Sequence, residues 1–231
     1  MPTNTNTYFY LLLLCISGPF LLSFDKKVSF YKEWKFFVLS MLPVSVFYLI
    51  WDIIFTNLKV WEFNKDFLVG QYFSNIPLEE YGFFIVIPYC CLFIYACLKK
   101  YIPVIGFKNY STYLSIGLIL LSISLLALHP KQLYTATTFG LLFLSLCYFT
   151  LTHKTQHLNH IYLSWMIALI PMALVNGVLT GKPILIYNNA ENMGIRIGTI
   201  PIEDFFYNLV YMIWMVYIYE FWKSKQGKFV L

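Results

Sequence analysis

The sequence predicts an all-α polytopic membrane protein with seven transmembrane helices arranged as a parallel 3+1+3 tandem repeat. Three observations carry that expectation. The 231 residues are 59% hydrophobic and only 12% charged, far more apolar than a soluble domain of this size. Seven apolar segments approach the ~20 residues that a helix rising 1.5 Å per residue needs to span a bilayer. A paired-acid motif occurs twice, 124 residues apart.

The segments run over residues 8–24, 36–55, 81–98, 113–128, 133–152, 161–179 and 205–222. The first follows a leader, Met1 to Thr7, that has neither the basic start nor the small-residue cleavage site of a signal peptide. It is therefore read as a retained helix. The second is interrupted by Asp52, an acid inside an apolar run and a functional candidate by default. Pro88 in the third and Pro171 in the sixth should kink their helices, and neighbouring helices must satisfy the carbonyls left free. The fourth and fifth are separated only by His129 to Gln132, the least secure boundary in the chain. All five cysteines fall inside predicted helices, where they read as packing residues rather than a disulfide framework.

The 124-residue offset aligns Thr56 with Thr180, Asn64 with Asn188, Gly70 with Gly194, Pro77 with Pro201, Glu79 with Glu203 and Lys99 with Lys223, without a gap. This divides the chain into a first three-helix unit (1–100), a connector helix (101–132) and a second three-helix unit (133–231). Three crossings alone would invert the second copy, and the connector restores it. Parallel repeats of this kind are related by an axis along the membrane normal, and both acid motifs then share one face. The loops over 56–80 and 180–204 are long for a compact bundle and, with their matched Asn and Gly, are expected to be structured caps.

Basic residues set an expected orientation. Eleven Lys/Arg lie in the loops after helices one, three and five and in the tail, among them Lys26, Lys99, Lys108, Lys154 and Lys223; the opposite loops hold five. The positive-inside rule then puts the N-terminus outside and the C-terminus in the cytoplasm of a multi-pass cell-membrane protein. The net charge of +5 is a topology signal and needs no nucleic acid to explain it.

Proline in the first turn followed by carboxylates is ordinary helix-start chemistry. Duplication at fixed spacing shifts the reading: Glu79, Glu80, Glu203 and Asp204 are four of only eleven acids in the chain. A carboxyl group in an apolar, water-poor site can serve as a proton donor. Aromatic faces suit a reaction that develops positive charge on carbon, because rings attract cations. Tyr81, Phe83 and Phe84 follow the first motif, and Phe205, Phe206 and Tyr207 follow the second. With Asp52 and its partner Asn176 they are the candidate substrate-binding residues; because Asp52 and Asn176 differ, the half-sites are expected to be inequivalent.

These paired motifs, Pro77-x-Glu79-Glu80 and Pro201-x-Glu203-Asp204, on tandem small-helix units resemble the integral-membrane lycopene cyclases of the heterodimeric bacterial type, here in a fused form. The likeness covers nearly the whole chain, with one half of the heterodimer matching about 1–100 and the other about 133–231. It implies a redox-neutral isomerase of the intramolecular-lyase kind that cyclises the acyclic ends of lycopene to β-carotene through γ-carotene. It further implies Glu79, Glu80, Glu203 and Asp204 as catalytic residues, with Glu79 and Glu203, identical in both copies, the first choice for donor and base, and lycopene or a related acyclic carotenoid as substrate. Association with other carotenoid enzymes is a further expectation. A related subgroup makes cyclic fifty-carbon carotenoids.

No cofactor is expected: the chain has no Gly-x-Gly-x-x-Gly for a dinucleotide, and no Asp-x-x-x-Asp pair of the kind that binds magnesium diphosphate. His153, His157 and His160 share a helical face with ligand-like spacing, but three imidazoles with no acid beside them read as a polar loop rather than a metal site. The rival of a different class is a small-solute transporter, which can also be built as 3+1+3 helices. The Pro-Gln dipeptides of the small sugar transporters are absent here. A pigment or lipid binder without activity is the third option.

Overall fold

The computed structural model describes residues 6–103, 110–152 and 154–228; Met1 to Thr5, Lys108 and His153, used above, lie outside them. The described residues form seven α-helices: α1 (Thr7–Leu22), α2 (Trp34–Asn57), α3 (Leu78–Tyr101), α4 (Tyr110–Leu128), α5 (Leu133–Leu151), α6 (Leu158–Gly181) and α7 (Ile202–Lys228). The helices α2 to α6 are long and apolar enough to cross a membrane, and α1 is a shorter apolar helix. Leu14, Leu21, Tyr113, Leu128, Ile170 and Leu174 are each more than two-thirds exposed. An apolar belt of that kind is a liability in water and the expected outer face in lipid.

The last helix is different because protein encloses it. Leu209, Met212, Ile213, Met215 and Val216 are completely buried. Surrounded by other helices, α7 tolerates Asn208, Glu220 and several tyrosines that a lipid-facing span would expel. It packs on α2, α3, α5 and α6, while α3 packs on α6, α7, α1 and α2. Exchanging α1 with α5, α2 with α6 and α3 with α7 maps these principal contacts onto each other. The remaining helix, α4, lies against α5 and α6.

Helix α3 runs on through Pro88. A proline removes the hydrogen bond to the carbonyl four residues back, and Ser45 Oγ of α2 donates to that carbonyl, Phe84 O, at 2.8 Å. Helix α1 passes Pro19 similarly, with Cys90 Sγ of α3 donating to Cys15 O at 3.6 Å. These two breaks are answered by the adjacent helix, as apolar surroundings demand. The five cysteines are free.

Both long loops are structured. Strand β1 (Trp61–Phe63) pairs antiparallel with β4 (Leu185–Tyr187), and the register sets Glu62 opposite Ile186, its mate at the 124-residue interval. The flanking bonds exchange the same way: Asn64 N–H donates to Ile184 O and Asn188 N–H to Val60 O, both at 2.9 Å. Each loop then closes in a small hairpin, β2 (Tyr72–Phe73) with β3 (Ile76–Pro77) and β5 (Arg196–Ile197) with β6 (Ile200–Pro201). The hairpin turns require left-handed backbone at Ser74 (φ 48°) and Gly198 (φ 63°), and Gly70 and Gly194 (φ 86° and 71°) serve the turns before them. The two hairpins deliver the chain to the first turns of α3 and α7.

Candidate active site

The motif acids divide by position within each pair. Glu79 Oε1 accepts the Val69 N–H at 2.6 Å, and Glu203 Oε1 accepts the Met193 N–H at 2.8 Å. Thr135 Oγ1 adds a bond to Glu203 at 2.6 Å. These two carboxyls tie the cap loops to the starts of α3 and α7, and neither lines the central cavity. Glu79 and Glu203, the first choice of the sequence reading for donor and base, thus lie outside the cavity lining, whereas Glu80 and Asp204 belong to it. Pro77 and Pro201 are buried and sit opposite Tyr72 and Arg196 in the hairpins, so they aim the helix starts.

Consecutive residues on a helix point about 100° apart, and the second acid of each pair turns inward. The Tyr8 hydroxyl of α1 donates to Glu80 Oε2. Tyr134, at the head of α5, donates to Asp204 Oδ1 at 2.7 Å. Asp204 gathers two further donors: Tyr187 Oη, 2.9 and 3.0 Å from its two oxygens, and Asn176 Nδ2 at 3.0 Å from Oδ2. Burial, followed by the Asp204 carboxyl beside it, pushes the Tyr187 phenol well above its usual 10, so that it stays a donor. Asp52 behaves unlike its partner Asn176. Its Oδ1 accepts Trp61 Nε1–H at 2.6 Å, and its Oδ2 is buried without a hydrogen-bond partner among the described residues.

Asp52, Glu80, Asn176 and Asp204 all line one cavity enclosed by α2, α3, α6, α7 and the β1–β4 ribbon, with Cys15 from α1. It holds about 1020 Å³ of space free of atoms, its opening included. Trp61, Phe83, Phe84, Tyr134, Tyr187, Tyr207 and Tyr211 supply aromatic walls around the acids. Of the other sequence candidates, Tyr81, Phe205 and Phe206 are not part of the lining. The Tyr81 hydroxyl donates outward to Phe73 O at 3.1 Å, Phe205 packs with Met172 and Ile200, and Phe206 meets Phe139 and Trp165.

Sequence reasoning missed Tyr8, Tyr134, Trp61 and Tyr187, which make most of the hydrogen bonds to the cavity acids. Tyr8 and Tyr134 do correspond, but at an interval of 126 rather than 124, so a gapless comparison passes over them. Among the described residues no three His, Cys, Asp or Glu are grouped to hold a metal ion. His160 Nε2 lies 2.9 Å from Ile102 O, and His157 meets the Tyr217 ring edge-on.

Comparison with known families bears on the same residues. The family model described as lycopene cyclase matches the chain over two separate segments, 5–98 and 131–222. These hold both acid motifs and every cavity residue, and they cover most of the chain, so this chain belongs to the lycopene cyclase family. The family carries a carotenoid cyclase activity and a carotenoid substrate with it. No curated protein and no solved structure gives a significant match.

Proposed function

We propose that this member of the lycopene cyclase family is a lycopene β-cyclase, closing rings on the ends of lycopene by proton chemistry between Glu80 and Asp204. The observation that carries this reading is that both acids, from two separate copies of the motif, line one apolar cavity with aromatic walls. Protonated Glu80 gives its proton to the terminal isopropylidene double bond of the substrate. The tertiary cation that forms is attacked by the internal alkene, and a six-membered ring closes. Asp204 takes a ring proton, which leaves the β-type double bond. One proton enters and one leaves, no electrons are exchanged, and the product is an isomer of the substrate.

The surroundings of the acids support that assignment of roles. Asp204 receives three hydrogen-bond donors, an arrangement suited to a carboxylate acceptor. Glu80 and Asp52 line the other side, and among the described residues Tyr8 donates to the first and Trp61 to the second. Two carboxyls in one low-dielectric chamber resist ionising together, which favours keeping a proton between them. The aromatic faces of Trp61, Tyr134, Tyr187 and Tyr207 lower the cost of the carbocation.

The reading includes a parallel 3+1+3 arrangement in which residues 1–100 and 133–231 are equivalent units and 101–132 the connector. It is supported by the exchanged helix contacts and by the meeting of Tyr8 with Glu80 and Tyr134 with Asp204, which gathers the starts of α1, α3, α5 and α7 at the capped end. The cap is assigned to the extracytoplasmic face and the basic tail to the cytoplasm. The test is expression in cells that accumulate lycopene, followed by pigment analysis. The expected product is β-carotene with γ-carotene as an early intermediate; unchanged lycopene would refute the reading, and cyclic products only from a fifty-carbon precursor would move it to that substrate.

A further inference from the structure

The two copies build two grooves at equivalent places, and only one of them is continuous with the acids. The central chamber is formed by residues that match across the repeat, such as Asp52 with Asn176, Glu80 with Asp204 and Phe83 with Tyr207. From it an arm extends between α3 and α6, past Met172, Val175, Pro171 and Cys90 to Ile94. A second groove lies between α2, α5 and α7, lined among others by Phe47, Tyr48, Trp214 and Ile218. Those four positions are the 124-residue mates of Pro171, Met172, Cys90 and Ile94. The second groove is thus the counterpart of the arm, but it lines none of the acids.

The partition between them is aromatic. Tyr48 stands where the other copy has Met172, and its ring centroid is 4.6 Å from Tyr207 and 4.8 Å from Tyr211. Trp51 stands where the other copy has Val175; it is 5.3 Å from Tyr48 and 4.9 Å from Tyr207. The Tyr211 hydroxyl is fixed 2.6 Å from Ser45 Oγ, and the Tyr48 hydroxyl donates to Tyr207 O at 3.2 Å. On the open side an unbranched thioether and an isopropyl group occupy the places of these rings. Packed aromatic clusters of this density leave no room for a polyene to pass.

We infer that the Tyr48–Trp51 wall makes the enzyme one-armed: a linear isoprenoid end reaches the acids only between α3 and α6, and Met172 and Val175 set the bore of that passage. The inference rests on the proposed cyclisation and adds that the two chain ends must be processed one after the other through the same opening.

The experiment compares Met172→Trp, which narrows the open arm, with Leu144→Trp, which fills the second groove on its exposed side. In lycopene-producing cells Met172→Trp should lower cyclic product at least 10-fold, whereas Leu144→Trp should stay within twofold of the wild type. A second readout does not depend on turnover. In isolated membranes, lycopene should slow alkylation of Cys90 by a lipid-soluble maleimide, read residue by residue by mass spectrometry. That protection should disappear in Met172→Trp. Full activity in Met172→Trp, or loss of activity in Leu144→Trp, would overturn the assignment of the arm. So would absence of Cys90 protection in the wild type. A wild type that forms no ring yet shows lycopene protection of Cys90 would refute the cyclisation and leave the passage standing.

Discussion

Asp52 and Asn176 occupy the same place in the two copies, one helix turn into the wall of the same cavity, and they do opposite things. Asn176 donates to Asp204 and completes its shell of three donors. Asp52 as a carboxylate has no N–H to give Glu80, and among the described residues one of its buried oxygens has no hydrogen-bond partner. Where the second copy sets an amide donor on the cavity wall, the first sets a further acid. The two copies of the motif sit in matching frames, and they differ in a few side chains on the cavity wall. Tyr48 and Trp51 against Met172 and Val175 repeat the lesson at the groove.

The sharpest way to break the comparison is at the inward acids. Glu80→Gln and Asp204→Asn should each reduce ring formation by at least about 100-fold, the scale of a lost general acid or base, with membrane levels of the protein unchanged on immunoblots. If either keeps near-normal pigment conversion, the proton does not travel between these groups. Asp52→Asn makes the first half-site resemble the second and should cost about 10-fold, the lower end of a perturbed acid–base group. Were Asp52 only an anchor for Trp61, the asparagine oxygen would accept that N–H equally well and conversion would hold.

Smaller effects separate the supporting tyrosines. Tyr8→Phe removes the single donor on Glu80 among the described residues and should lower activity about 10-fold, whereas Tyr187→Phe leaves Asp204 two other donors and should cost about threefold, as net hydrogen-bond contributions of ~0.5–1.5 kcal/mol imply. Equal losses would argue against the asymmetry of the two shells. The smallest change is expected at the outward acids. Glu79→Gln preserves an acceptor for Val69 N–H and should keep activity within about threefold. Glu79→Ala should lower stability by roughly 1–3 kcal/mol through the unsatisfied amide, read as an earlier thermal transition in detergent. Abolished activity in Glu79→Gln would restore it as a reacting group.

Much of the frame was legible before any coordinates. All seven helices lie on apolar runs of the sequence, with ends shifted by up to six residues, and for α2 to α6 lipid imposes length and composition directly on the chain. The repeat was legible since Gly70 and Gly194 hold left-handed backbone that few other residues adopt, and Pro77 and Pro201 stand at matched places in the two hairpins. The division of labour inside Glu79-Glu80 was not. Adjacent residues on a helix share a neighbourhood in sequence but face different directions, and only the packing of α3 against α1 and α6 decides which one turns inward. Tyr187 and Trp61 were out of reach for a different reason. They come to the acids through the β1–β4 pairing, a contact between segments more than 120 residues apart that neither loop announces in its own composition. Phe205 and Phe206 adjoin the motif in sequence, and proximity along a helix does not fix a face.

The ribbon joining the two loops pairs Glu62 with Ile186, each the image of the other. Because strand side chains alternate in direction, lengthening one loop by a single residue ahead of that point would turn Trp61 away from Asp52 or Tyr187 away from Asp204. The two loops are consequently not free to drift apart in length as surface turns usually are. They behave as the two sides of a keystone, and an insertion on one side is tolerable only if the other side changes to match.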